Sequence, residues 1–410
     1  MRDFSQMQHG AFALLILNSH PDHGTPLDSR DADILSLASA EAVARFLSYR
    51  PNHKPTPLHA LAGLARLTGV EAVYVKDESQ RLDLNSFKAL GGSYAVIRLV
   101  LEQAGRKLGL PVDIAELHSP AVREVAAGMT FGCATDGNHG KSVAAGAQLV
   151  GAKAAIFVHS GVSDERVAAI AAFGAQIIRV DGTYDDSVAE AERKCKEMGW
   201  TVVSDTSWPG YERIPGLVMQ GYTAMLKEAA DALAAAPTHV FVQAGVGGLA
   251  AAVAGHFDVR YGDKRPRLIV VEPSRAACLF ESAQAGHPLK VAHGEPTIMA
   301  MLECYEPSLV AWRILSRKAD AYMTIDEDDA AETMRRLARP VAGDPPIVSG
   351  ESGAAGLAGF LKAAADAKTR SALGIDAHSR VLLINTEGAT DEARYRAIVG
   401  CTPADLFAPA

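Results

Sequence analysis

The chain reads as an α/β protein built from two open, mostly parallel sheets, with a ligand site in the cleft between them at the C-terminal ends of strands. Three observations predict this. From about residue 130, short β-branched runs alternate with stretches of helical periodicity, the signature of βαβ units. A second βα series begins near residue 239, after one long helical segment. The length, 410 residues with 48% hydrophobic and 21% charged, exceeds what one small core needs and suits two domains. The expected division is a larger domain of residues 1–92 and 216–410 and a smaller one of 93–215.

The elements follow in order. The apolar run GAFALLIL near the N-terminus is short, has one arginine before it and no small-residue cleavage pattern after it; it reads as a buried strand, not a signal peptide. Residues 72–75 are an apolar stretch, followed by the polar turn KDESQRLDLN and then SFKALGG, which opens a helix. In the smaller domain, strands are expected at 130–134, 154–158, 176–180 and 201–204, with helices at 140–149, 164–173 and 184–198. Ser163, followed by Asp164 and Glu165, is an N-cap signal for the second of these helices. The long helix 216–234 is stopped by Pro237. Strands 239–242 and 267–271 flank a helix at 249–256, and helices at 326–338 and 353–365 precede the last strand, 381–384.

Composition excludes several classes. The net charge is −8 with no basic run, which argues against nucleic acid as a partner. The alanine-rich runs are broken by charges and glycines, so no membrane span is expected. Cys133, Cys195, Cys278, Cys304 and Cys401 form no CxxC and no metal-type Cys/His spacing; no metal site is expected, and a sparse odd set fits a reducing, cytoplasmic setting.

Five motifs carry the chemistry. Lys88 lies in SFKALGG between Phe87 and Leu90, a pattern of a helix start more than of a solvated face. QAGVGGLAA places Gly245, Val246, Gly247, Gly248 and Leu249 between a strand and a helix N-terminus, where backbone N–H groups and the helix dipole cradle an anion. Alone, such a glycine turn also serves close helix–sheet packing. A lysine together with a phosphate cradle suggests pyridoxal 5'-phosphate, held by a Schiff base at one end and by its phosphate at the other. TDGNHGKS, again at a helix start, can bind a carboxylate through N–H groups and the Thr135 hydroxyl, and Asn138 there suits the phenolic oxygen of a pyridine ring. Asp136 is the oddity, because it would repel a carboxylate unless it faces another part of the substrate. SDTSWPGYE puts Asp205 at a strand end, where a lone aspartate is more often a turn or cap residue. NTEGATD follows the last strand, and Thr386 there can hydrogen-bond a pyridine nitrogen; a neutral hydroxyl partner favours elimination over transamination.

KDES…LNSFKALGG, TDGNHG, SDTSW…GY, QAGVGGLAA, IMAML and GESGAAG occur in an order that resembles the diaminopropionate ammonia-lyases, from about Pro55 to Asp391. These belong to the fold-type-II pyridoxal-phosphate enzymes, with threonine dehydratase and the tryptophan synthase β chain. The resemblance implies that Lys88 forms the Schiff base beside Phe87, Asn138 meets the phenolic oxygen, Gly245 to Leu249 hold the phosphate, and Thr386 meets the ring nitrogen. It implies Asp136 and Asp205 as the acidic pair, with Ser86, Thr135, Gly137 and His139 around the substrate. The dehydratases usually carry serine at the position of Asp136. Two departures stand out: Val246 replaces a glycine of many relatives, and MAMLECYEPS is bulkier at Met301 and Tyr305.

The resulting expectation is α,β-elimination of 2,3-diaminopropionate to pyruvate and ammonia by a homodimer. Lys88 serves one face of Cα and Asp136 the other, and two carboxylates suit a cationic β-amine. A serine or threonine dehydratase or racemase on the same fold is the nearest alternative, and a non-catalytic binding protein a remote one. A nicotinamide site would use Glu272 at the end of the next strand, but the glycine loop is too compact for that motif. Cys278 and Cys304, if both flank the entrance to the site, are candidates for a disulfide under oxidising conditions.

Overall fold

The computed structural model describes residues 15–50, 52–135, 137–341 and 343–407. The chain divides into two compact units. The first comprises Met1–Leu37, described from Leu15, with Pro55–Gln80 and Met225–Ala410; the second comprises Ala38–Lys54 and Arg81–Ala224. Elements are numbered along the chain.

The second unit holds a four-stranded parallel sheet of β4 (Thr130–Ala134), β5 (Lys153–His159), β6 (Gln176–Val180) and β7 (Thr201–Val202), in the order β6-β5-β4-β7. Its helices are α2 (Leu37–Ser48), α4 (Lys88–Leu108), α5 (Pro120–Ala127), α6 (Asn138–Val150), α7 (Asp164–Ala171), α8 (Tyr184–Met198) and the first part of α9 (Arg213–Ala232). The expected strands and helices of this series are all present. Ser163 caps α7 by accepting from the Arg166 N–H (3.4 Å), and Thr183 and Asp186 form a reciprocal capping box on α8. Helix α9 starts three residues earlier than expected because Pro215 falls in its first turn, where no intrahelical amide is needed, and it ends before Pro237 is reached.

The first unit holds a seven-stranded sheet in the order β1-β10-β9-β8-β11-β3-β2. It comprises β1 (Leu15–Leu17), β2 (Leu58–Ala60), β3 (Ala72–Asp77), β8 (His239–Gln243), β9 (Arg267–Pro273), β10 (Ala321–Ile325) and β11 (Arg380–Asn385). The inner five strands are parallel and buried; β1 and β2 are antiparallel edges. Helices α1 (Ser29–Ile34), α3 (Ala62–Thr68), α10 (Gly248–Tyr261), α11 (Cys278–Ala285), α12 (Leu309–Lys318), α13 (Glu327–Ala338), α14 (Ala355–Ala365), α15 (Ala367–Leu373) and α16 (Glu392–Val399) complete it. Of the N-terminal apolar run, Leu15–Leu17 form the short β1, which is partly exposed at the sheet edge and not buried; residues 10–14 lie outside the described residues.

The unit boundaries differ from those read in the sequence, and packing is the reason. Helix α4 is not divided at residue 92. A Cβ on Gly91 would lie 2.7 Å from the Val218 carbonyl oxygen of α9, and one on Gly92 would lie 2.8 Å from Ser142 Oγ of α6. The whole helix therefore belongs with the second unit. So does α2, whose Phe46 ring packs edge-on against Tyr94 of α4 (5.3 Å).

Candidate active site

In the second unit the strand order reverses between β4 and β7, so the loops leaving those two strands flank a topological switch point, where open α/β sheets bind ligands. Asp205 lies on the loop after β7. The Tyr211 hydroxyl closes that loop: it accepts from the Ser204 N–H (3.0 Å) and donates to the Val202 carbonyl (2.9 Å), with Trp208 stacked on its ring at 4.2 Å. Lys88 is the first residue of α4. Its N–H donates to the buried Ser86 hydroxyl (3.3 Å), and its ammonium pairs with Asp205 Oδ2 and lies 5.6 Å from the Phe87 ring centroid. Phe87 is itself held 4.8 Å from the Tyr222 ring.

Burial pushes the Asp205 carboxyl up, but the Lys88 ammonium outweighs this and holds it well below the ordinary carboxylate range. Burial holds His139 below its ordinary value, so the ring is neutral. Its Nε2 faces the Val203 carbonyl at 2.9 Å and therefore carries the proton; the Nδ1 lone pair, with no hydrogen-bond partner among the described residues, lies 4.0 Å from Asp205 Oδ2.

The loop after β4 leads into α6. Thr135 Oγ1 accepts from both the Gly137 and Gly140 N–H groups (3.0 Å each), so this hydroxyl caps the helix and keeps only its own proton for a ligand. Asn138 and His139 are buried in the first turn. Asp136 lies outside the described residues. Thus Lys88, Phe87, Ser86, Asp205 and His139 are brought together in this unit.

In the first unit the order reverses between β8 and β11, and both remaining motifs leave those strands. Gly245 to Gly247 join β8 to α10, whose start has no side-chain cap. Gly247 has φ +97, and a Cβ there would lie 3.0 Å from Ala311 Cβ and 3.1 Å from Leu279 Cδ1. A Cβ on Gly245 would lie 2.8 Å from Cys304 Sγ. The loop is pressed against its own support, and the uncapped amides of α10 suit a phosphate. Thr386, buried after β11, accepts from Gln243 Nε2 (2.9 Å), which leaves its own proton to donate to a pyridine nitrogen. Each unit by itself thus supplies groups of the kind pyridoxal phosphate needs: the second an amine at a helix start, the first an uncapped glycine cradle and a hydroxyl with its proton available.

Sequence reading missed Gln243 and Tyr211. A polar residue ending the buried run His239–Gln243 was the only local signal for the first, since its partners lie more than 100 residues away. Glu272, which a nicotinamide site would use for a ribose, has another role here. Its carboxylate accepts from the Leu279 (2.9 Å) and Phe280 (2.6 Å) N–H groups at the start of α11. Burial pushes it up to about 8. Cys278 and Cys304, the candidates for a disulfide under oxidising conditions, are both free thiols here, and Cys278 Sγ points at the Gly245 carbonyl (3.8 Å).

The family model of pyridoxal-phosphate dependent enzymes matches residues 49–387, and the chain belongs to that family. It is 40% identical over 374 residues to diaminopropionate ammonia-lyase of Escherichia coli strain K12, covering 89% of this chain and 92% of the relative. Crystal structures of the Escherichia coli enzyme with an aminoacrylate-PLP azomethine reaction intermediate and with D-serine superpose with TM-scores of 0.85 and 0.84 at 36% identity, each covering 95% of this chain and 98% of theirs. A biosynthetic L-threonine dehydratase of Haemophilus influenzae is 28% identical over 312 residues, 75% of this chain and 52% of that protein.

Proposed function

We propose that the protein is a pyridoxal-phosphate-dependent ammonia-lyase that converts 2,3-diaminopropionate to pyruvate and ammonia. The observation that carries this reading is the ionised Asp205 carboxylate held against Lys88. A permanent carboxylate beside the reacting lysine suits a substrate with a cationic β-amine and has no evident use for a neutral β-hydroxyl. The 40% identity to diaminopropionate ammonia-lyase over most of both chains supports the same substrate.

Lys88 would hold the cofactor's aldehyde carbon, the amides of Gly245 to Leu249 its phosphate, Asn138 its phenolic oxygen and Thr386 its ring nitrogen, beside Phe87. Bound there, the cofactor supplies the sink for the electrons left when the Cα proton departs. The chain's residues do the rest. Lys88 takes the Cα proton on its own face. Asp205 attracts the β-ammonium, which leaves as neutral ammonia, and His139, neutral, offers its Nδ1 lone pair as a second acceptor for that ammonium. Asp136 is proposed as the base for the opposite face, so that both enantiomers react; Gly137 and Thr135 would bind the substrate carboxylate. We also infer a cytoplasmic homodimer. No described helix is long and apolar enough to cross a membrane, and no disulfide forms among the cysteines. Light scattering on the purified enzyme tests the dimer.

Pyruvate release from D- and L-diaminopropionate, serine and threonine tests the substrate; faster release from either hydroxy amino acid would overturn it. Asp136→Asn should lose activity on one enantiomer, the D form, at least about tenfold more than on the other. Equal losses would remove the two-base scheme.

A further inference from the structure

We infer that helix α4 carries a second binding site, away from the chemistry: a cavity of about 720 Å³ that takes a small carboxylate with an apolar body and acts as an effector site. The volume lies in the range of small-molecule pockets, roughly 300–1,000 Å³. Its apolar wall comes from the edge-to-face pair Phe46 and Tyr94 with Leu101 and Ile114, all four buried.

Charge identifies the occupant. The two acids on the lining are already matched. Asp113 is held by both guanidinium nitrogens of Arg45 (2.9 and 2.6 Å) and caps the Ala115 N–H (2.9 Å); Glu102 pairs with Arg213. Arg98 shares Glu102 with Arg213 in an ion pair at 3.5 Å and lies 3.5 Å from the Tyr94 hydroxyl, and Arg106 is held by the neutral Gln103 side chain. The lining thus carries three guanidinium groups, Arg45, Arg98 and Arg106, against two carboxylates, Glu102 and Asp113, and Glu102 is shared between Arg98 and Arg213. Arg98 is the anchor, because its planar fork matches a carboxylate and it borders the aromatic wall. Diaminopropionate, with two amines and no apolar body, is a poor fit.

The position supplies the consequence. Lys88 opens the same 21-residue helix, and α4 is locked to α6 by the Ser93 N–H to Ser142 Oγ bond (3.0 Å) and by Gly92 and Gly146. A ligand that joins α2, α4 and the segment 109–114 fixes the helix that presents Lys88 and steadies the start of α6. A change in the steady-state constants is the expected result.

The binding test does not depend on the lyase reading. The holoenzyme is titrated calorimetrically with 3-phenylpropanoate and with its uncharged amide, as wild type, Arg98→Gln and Ala42→Trp. Ala42 is exposed on the lining, so tryptophan closes the cavity without touching a charge. Saturable binding of the carboxylate is expected, weakened about tenfold or more in the amide and in each variant. The carboxylate should change kcat or KM for diaminopropionate in wild type only, with basal rates kept in both variants. Equal binding of acid and amide, undiminished binding in the variants, or no saturable binding of the acid overturns the site. Binding with unchanged kinetics overturns its effector role. A change of mass in Ala42→Trp by light scattering makes this face a contact between copies and overturns the ligand site.

Discussion

At the scale of single residues, the pair Lys88–Asp205 sets most of what can be tested. Lys88→Ala should abolish the visible absorbance of the bound cofactor and lower pyruvate formation about a thousandfold or more, because the proposed mechanism uses the amine as both anchor and base. Asp205→Asn should lose about a hundredfold on both enantiomers, since the β-amine is common to them. A pH dependence follows from the same pair. The folded Asp205 carboxyl lies below its ordinary value of about 3.9, so the stability it contributes is complete above that value and is lost as pH falls through the depressed one. In cofactor-free enzyme, where Lys88 is an ammonium, the stability gap between wild type and Asp205→Asn should be about 1–2 kcal/mol at neutral pH and narrow progressively as pH falls below about 4. A gap that stays constant across that range in urea titrations would show that the pair adds nothing to folding.

At the scale of elements, the placement of Lys88 rests on glycines that let helices touch. Gly91 of α4 and Gly221 of α9 lie back to back: a Cβ on the first would meet the Val218 carbonyl oxygen at 2.7 Å, and one on the second the Leu90 carbonyl oxygen at 2.7 Å. Helix propensity alone favours Gly91→Ala by about 1 kcal/mol. The clash is with backbone, which cannot rotate away, so the contact decides the sign. Gly91→Ala should destabilise by about 1–3 kcal/mol, read as a lower urea midpoint at unchanged slope. This contact also shows why some of the fold was legible in the sequence and some was not. Strands β4, β6 and helix α8 stand at the residues their periodicity predicts, because each is decided by local alternation and caps. Nothing local says that Gly91 faces α9, that β10 exists beside β9, or that α2 belongs with α4 through Phe46 and Tyr94; those are facts of packing between residues tens to hundreds of positions apart.

For the whole molecule, the candidate site was legible wherever a motif leaves a strand at a switch point, as Asp205, Gly247 and Thr386 do. Of the supporting layer, Gln243 was not, because its hydrogen bonds reach Gly353 and Thr386 in other motifs; Tyr211 and Glu272 bond to residues only seven to nine positions away, but no local pattern marks them. That layer leads to a statement about the stability of the complete enzyme. A ligand that binds only the folded chain stabilises it by mass action, about 2.7 kcal/mol at a hundredfold excess over its dissociation constant. Pyridoxal phosphate should therefore raise the melting temperature of the cofactor-free enzyme in a concentration-dependent way. Lys88→Ala keeps the glycine loop and Thr386, so part of that rise should survive in it. Gly247→Val places a branched side chain at φ +97 and against Ala311 and Leu279, so the loop must move, and the rise should fall well below that of Lys88→Ala. The comparison also separates loss of the cradle from general damage, since the cofactor-free melting temperature of each variant is its own reference. If Gly247→Val responds to the cofactor as wild type does, the phosphate is bound elsewhere and the assignment of the loop after β8 fails.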